Sequence, residues 1–192
     1  MAPTSGSIRE SRSLPLAVLT NAKQMKTTAI SNAMIVYAAL MTLSILWMAL
    51  ILAAPWLMAE RHFLASATIY QWFSAVCHQT PERSFYFRGR PMGVCSRCAS
   101  VYAGFVIGLL LYPFLRDVRE DRFPPRWILI GAAIPAVVDF TGGVLGLFAN
   151  TFLSRALTGI LFGAVAAFYV TPGIVSALND WRAGFAKPKA DC

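Results

Sequence analysis

The chain has 192 residues, 57% of them hydrophobic and only 14% charged, with a mean hydropathy of +0.57. Soluble domains carry about a quarter charged residues, so this composition excludes an ordinary soluble domain, and the length fits a single one. A formal charge of +8 does not indicate nucleic acid here, because the Lys and Arg residues flank apolar runs and form no dense basic tract. Beside a membrane that distribution is a topology signal and an attraction to anionic headgroups.

In chain order, residues 1–31 are polar and without periodicity, which predicts a mobile cytoplasmic tail. A membrane domain is expected over residues 32–178. Its first span, residues 33–54, carries no charge and is too long for a signal-peptide core, so it reads as an uncleaved helix. Residues 62–76 follow as an amphipathic segment predicted to lie along the interface, with Phe63, Ile69, Trp72 and Phe73 touching the bilayer. A Cys/His loop occupies residues 77–98. The second span, residues 99–115, is short for a bilayer core and is expected to begin inside that loop. Spans three and four cover residues 127–149 and 156–178, with Pro135 and Pro172 inside them as expected kinks, and a C-terminal tail fills residues 179–192. The fold class is therefore all-α: an integral membrane bundle of four transmembrane helices, with an interfacial helix and the Cys/His loop between spans one and two.

Glycines recur four apart as Gly104 with Gly108, Gly142 with Gly146, and Gly159 with Gly163, a spacing that lets membrane helices approach closely. Four spans leave both ends of the chain on one side. That side carries eleven of the seventeen Lys and Arg residues, so the positive-inside rule predicts cytoplasmic termini in the cell membrane and an outward first loop.

The residues that carry chemistry cluster in the loop. Cys95 and Cys98 form a Cys-x-x-Cys knuckle at the entrance to span two, and Cys77 with His78 ends the preceding segment. If the loop folds back, Cys77, His78, Cys95 and Cys98 supply three thiolates and an imidazole, a donor set for tetrahedral zinc or for iron. Adjacent Cys77 and His78 diverge on a helix, and water as the fourth ligand would turn a structural site into a catalytic one. A second reading is thiol–disulfide redox chemistry, since Arg97 lies between the two knuckle sulfurs and positive charge stabilises thiolate. A third is an accessory subunit that joins other membrane-protein subunits through its small-residue faces. Arg83, Arg88, Arg90 and Arg97 also offer a hold on a lipid phosphate, but no nucleophile motif accompanies them, so no catalytic residue is assigned.

In the third span, Asp139 is the only acidic residue inside any predicted span, and an intramembrane carboxylate is a functional hypothesis by default. Arg155, opening span four across a short loop, is its expected partner, although roughly 15 Å of helical rise separates the two.

The chain resembles the uncharacterised polytopic membrane proteins of bacteria and archaea marked by a Cys-His-Gln, Glu-Arg-Ser-Phe and Cys-x-Arg-Cys signature. The matching stretches are Cys77-His78-Gln79, Glu82-Arg83-Ser84-Phe85 and Cys95-Ser96-Arg97-Cys98, with Tyr102 and Gly104 beyond them. A second patch also looks similar, at Pro135, Asp139, Asn150, Arg155, Thr158 and Gly159. The family usually follows its Asp with a Gln a few residues on, and this chain has none there. The resemblance assigns no activity. It implies that the Cys/His cluster and Asp139 belong to one site, with Arg83, Arg97, Asp139 and Arg155 as candidate binding residues beside the sulfurs.

Overall fold

The computed structural model describes the backbone of residues 16–118 and 122–186, and the side chains of residues 33–118 and 122–181. Five helices run in the order α1 (Leu16–Ala59), α2 (Phe63–Ser74), α3 (Ser96–Leu115), α4 (Arg126–Val144) and α5 (Phe152–Ala186). A single turn of 3-10 helix (Pro81–Arg83) and a two-stranded hairpin, β1 (Tyr86–Phe87) with β2 (Arg90–Pro91), lie between α2 and α3.

Four segments are long and apolar enough to cross a membrane: Ala33–Ala59, Ser96–Leu115, Arg126–Val144 and Phe152–Trp181, with mean hydropathies from 1.7 to 2.3. At about 1.5 Å per residue even the shortest approaches a 30 Å hydrocarbon core. Their large apolar side chains point outward: Leu43, Phe114, Ile130 and Leu157 are all more than half exposed. That arrangement would be untenable in water and is what a lipid surround requires.

The boundaries shift from those expected. Helix α1 begins at Leu16, so the helix enters the stretch expected as a tail, and residues 1–15 lie outside the described residues. Helix α5 likewise runs to Ala186 inside the expected C-terminal tail, whose remainder lies outside them too. The third span stops at Val144 instead of Ala149, because Gly146 adopts φ +69 and closes a Schellman motif in which the Leu147 N–H bonds the Gly142 carbonyl at 2.9 Å.

Helices α3 and α5 make the most extensive contact in the bundle. A Cβ built on Gly104 would stand 2.3 Å from the Ile160 carbonyl oxygen, and one on Gly163 would stand 2.0 Å from that of Val101. Two of the three glycine pairs thus bring the α3 and α5 backbones together, as their spacing predicts. The third does not: Gly146 terminates α4, and Gly142 accommodates the Phe148 ring.

Two prolines organise the rest. A proline inside a helix has no N–H for the carbonyl four residues back. In α1, Pro55 leaves the Ile51 carbonyl free, and it accepts the Gly93 N–H at 3.4 Å. In α3, Pro113 leaves the Leu109 carbonyl free, and it accepts the Tyr37 hydroxyl at 2.9 Å. Each freed acceptor has become a tertiary tie to another part of the fold.

Helix α2 folds back beside α1 after a turn at Arg61, where φ is +64, and the Ser66 hydroxyl donates to the Ala54 carbonyl at 2.8 Å. Phe63, Leu64 and Trp72 face outward, as an interfacial helix requires. Phe73 differs from expectation: it is buried, with Trp47 edge-on at 5.1 Å, and belongs with Ile51, Val94 and Ala99 to the core beneath the Cys loop.

Candidate metal and anion site

Most of the chemistry-bearing residues gather at one end of the bundle, where α2 and α4 end and α3 and α5 begin. Cys77 leaves α2 with its N–H bonded to the Phe73 carbonyl at 2.9 Å. The chain then reverses at Gln79, which has φ +51. Its side-chain amide donates to the Tyr70 carbonyl at 2.7 Å and to the Gly93 carbonyl at 2.8 Å, clamping the end of α2 to the strand that leads into the knuckle. The hairpin closes through Arg88 and Gly89, both with positive φ, a type I′ geometry that returns the chain toward α3.

Cys95 caps the N-terminus of α3, and its backbone N–H donates to the Cys77 sulfur at 3.2 Å. The sulfurs of Cys77, Cys95 and Cys98 all lie within 4.8 Å of one another. Three sulfurs around tetrahedral zinc, at about 2.3 Å from the ion, would stand about 3.8 Å apart, so the trio needs little adjustment to hold one. Hydrogen bonds from the Cys95 and then the Cys98 side chains lower the Cys77 thiol well below the ordinary thiol range. The three are unbridged thiols.

His78 stands apart from the sulfur trio. It is exposed and lines the same cavity. The divergence of neighbouring side chains accounts for this: burying Cys77 turns the next residue outward.

The Asp139 carboxylate is buried, and its partner is Arg97, not the expected Arg155. Asp139 lies near the end of α4 and Arg97 in the first turn of α3, so the two meet across the bundle at the same level. Asn150 completes the arrangement. Its amide nitrogen donates to the Asp139 backbone carbonyl and, at 3.2 Å, to the carboxylate. Space for Asn150 exists because residue 143 is glycine: a Cβ there would sit 2.0 Å from the Asn150 Oδ1. The Arg97 guanidinium also lies over the Phe140 ring, 5.3 Å from its centroid.

A cavity of about 630 Å³ opens beside these groups, lined by Cys77, Cys95, Cys98, Arg83, Arg97 and Arg155, with Phe140, Val144 and Phe148 as an apolar wall. Arg88 is elsewhere, paired with Glu60, and neither it nor Arg90 lines the cavity. Of the candidate residues named from sequence, the structure therefore joins Cys77, Cys95, Cys98, Arg83, Arg97 and Arg155 around one space and sets Asp139 behind Arg97. Sequence reasoning gave no role to Gln79, Asn150 or Gly143. The first two belong to the motif stretches that carry the resemblance, which is the signal that points to them.

The fold and the site together define a polytopic helical membrane protein with a cysteine cluster at one end of a four-span bundle. The chain belongs to the family described as Predicted membrane protein (DUF2085), whose model matches residues 77–169. An uncharacterized protein of Methanocaldococcus jannaschii is 38% identical over 107 residues, covering 56% of this chain and 69% of that protein. Another, from Methanothermobacter thermautotrophicus, is 34% identical over 91 residues, covering 47% of this chain and 80% of its own length. No solved structure matches the chain.

Proposed function

We propose that this protein carries a metal centre, zinc or iron, held by Cys77, Cys95 and Cys98 at one end of the transmembrane bundle. The observation that supports it most directly is the convergence of three sulfurs within 4.8 Å from two segments far apart in sequence. Three thiolates would fill three positions of a tetrahedral ion and leave one for water or a ligand from the cavity that the sulfurs line, as in a reactive centre rather than a closed structural one. His78 stands at the rim as a further candidate donor, after a rotation of its side chain. Binding residues around the centre are Arg83, Arg97 and Arg155, with Asp139 orienting Arg97.

The charge distribution supports a place in the cell membrane with both termini cytoplasmic, so that the centre faces outward. The experiment is elemental analysis of the purified chain against Cys95→Ser. One equivalent of metal in the wild type and a substoichiometric amount in the variant is the expected result; no metal in either would refute the centre.

One observation favours a second reading, thiol–disulfide exchange: the unbridged Cys77 sulfur lies within 4.8 Å of both sulfurs of the Cys-x-x-Cys pair. The two readings separate cleanly by thiol labelling, because a metal site yields its thiols to a chelator and a disulfide yields them to a reductant.

A further inference from the structure

We infer that the cavity beside the sulfurs is an oxyanion site that takes a phosphate-type group carried on an amphipathic molecule. The inference deepens the metal-centre reading by naming what stands next to the centre, and it is tested separately from it.

Three guanidiniums enter the cavity from three separate segments: Arg83 from the 3-10 turn, Arg97 from the first turn of α3 and Arg155 from the first turn of α5. Asp139 forms its ion pair with Arg97. Among the described residues, Arg83 and Arg155 thus line the cavity with no carboxylate in ion-pair range of either. At the edge of a bilayer an uncompensated charge is costly, and a bound anion would balance it.

Two further features point the same way. The first turns of α3 and α5 both border the cavity, through Arg97 and Cys98 of the one and Arg155 of the other, and bring the positive ends of two helix dipoles to it. The Arg97 Nε is a buried donor with no partner among the described residues. Guanidinium forks approaching from three directions suit a tetrahedral oxyanion with three or more free oxygens better than a flat carboxylate with two. The apolar wall of Phe140, Val144 and Phe148 continues onto the exposed face of α4, where an acyl or prenyl body would lie. The volume suits a headgroup.

The test uses the full chain in phosphatidylcholine nanodiscs. Inorganic phosphate is titrated by calorimetry, and retention of phosphatidic acid doped into the discs is read by native mass spectrometry. Arg83→Gln and Arg155→Gln should each weaken binding about tenfold, the loss expected for one charge-assisted contact. Arg83→Lys, which keeps the charge but loses the fork, should weaken it less, and Arg88→Gln should leave it unchanged. Phosphate displacing phosphatidic acid would mean that free and lipid-borne groups share the site. Retention of phosphatidic acid that phosphate does not displace, and that the two Gln variants abolish, would identify the lipid as the source. Binding of neither probe, or binding indifferent to Arg83 and Arg155, overturns the inference. Metal content is measured on the same samples. Lost anion binding with metal retained sinks this inference alone, and anion binding without metal sinks only the centre.

Discussion

At the scale of single residues, the ion pair between Arg97 and Asp139 decides most. The Asp139 side chain is 7% exposed and that of Arg97 23%, so neither charge can fall back on solvent. Asp139→Ala would strand a guanidinium, and breaking a buried pair from one side costs about 3–5 kcal/mol. Thermal unfolding in detergent should show a large fall in Tm for Asp139→Ala. The double change Arg97→Leu with Asp139→Ala should recover much of it, because no unpaired charge then remains. A fall of equal size in the double variant would mean that packing, not charge, holds this end of α4. Asn150→Ala belongs to the same unit and should cost less, since the Arg97 pair survives it.

The sequence made this residue-level picture only half legible. A lone carboxylate in an apolar span and a Cys-x-x-Cys knuckle are visible in any reading, because each is costly or rare where it stands. The partner of Asp139 was not visible. Arg155 is nearest along the chain, whereas Arg97 reaches Asp139 from the start of α3 only once α3 and α4 have both packed against α5. His78 lines the cavity outside the sulfur trio for a local reason, since its neighbour Cys77 takes the inward direction.

At the scale of elements, the α3–α5 contact and the proline-freed carbonyls carry the architecture. Gly163→Val would force apart backbones that meet without side chains between them. The expected outcome is loss of a monodisperse species in size-exclusion chromatography, whereas Gly131→Ala, with nothing within 4 Å of the added carbon, should behave as wild type. Equal behaviour of the two variants would count against the packing argument. Pro55→Ala restores an N–H that competes for the Ile51 carbonyl. The helix gains a bond while the knuckle loses one, so Cys95 should react faster with a thiol reagent. An unchanged rate would show that the Gln79 clamp alone positions the loop. The number of spans was legible from hydropathy. Their ends were less so: the close of α4 depends on Gly146 taking positive φ, which reads in sequence as one more small residue in a helix.

At the scale of the whole molecule, four spans place the three sulfurs with Arg83, Arg97 and Arg155 where α1 ends and α3 and α5 begin, at the end of the bundle opposite the α3–α4 connection. The proposed orientation, with both termini cytoplasmic, predicts that an impermeant maleimide added to intact cells together with a chelator labels Cys95. Labelling only after the cells are opened would reverse the orientation.

The link between Pro55, the Ile51 carbonyl and the Gly93 amide has a consequence for how the molecule answers its surroundings. Both partners are neutral main-chain groups, so acid, alkali and ionic strength leave this bond's chemistry untouched. The Cys77 thiol presented on the same loop is by contrast an ionisable group. The loop is therefore fastened by something that does not titrate while the thiol it presents does, which lets that thiol change state on a scaffold that stays put.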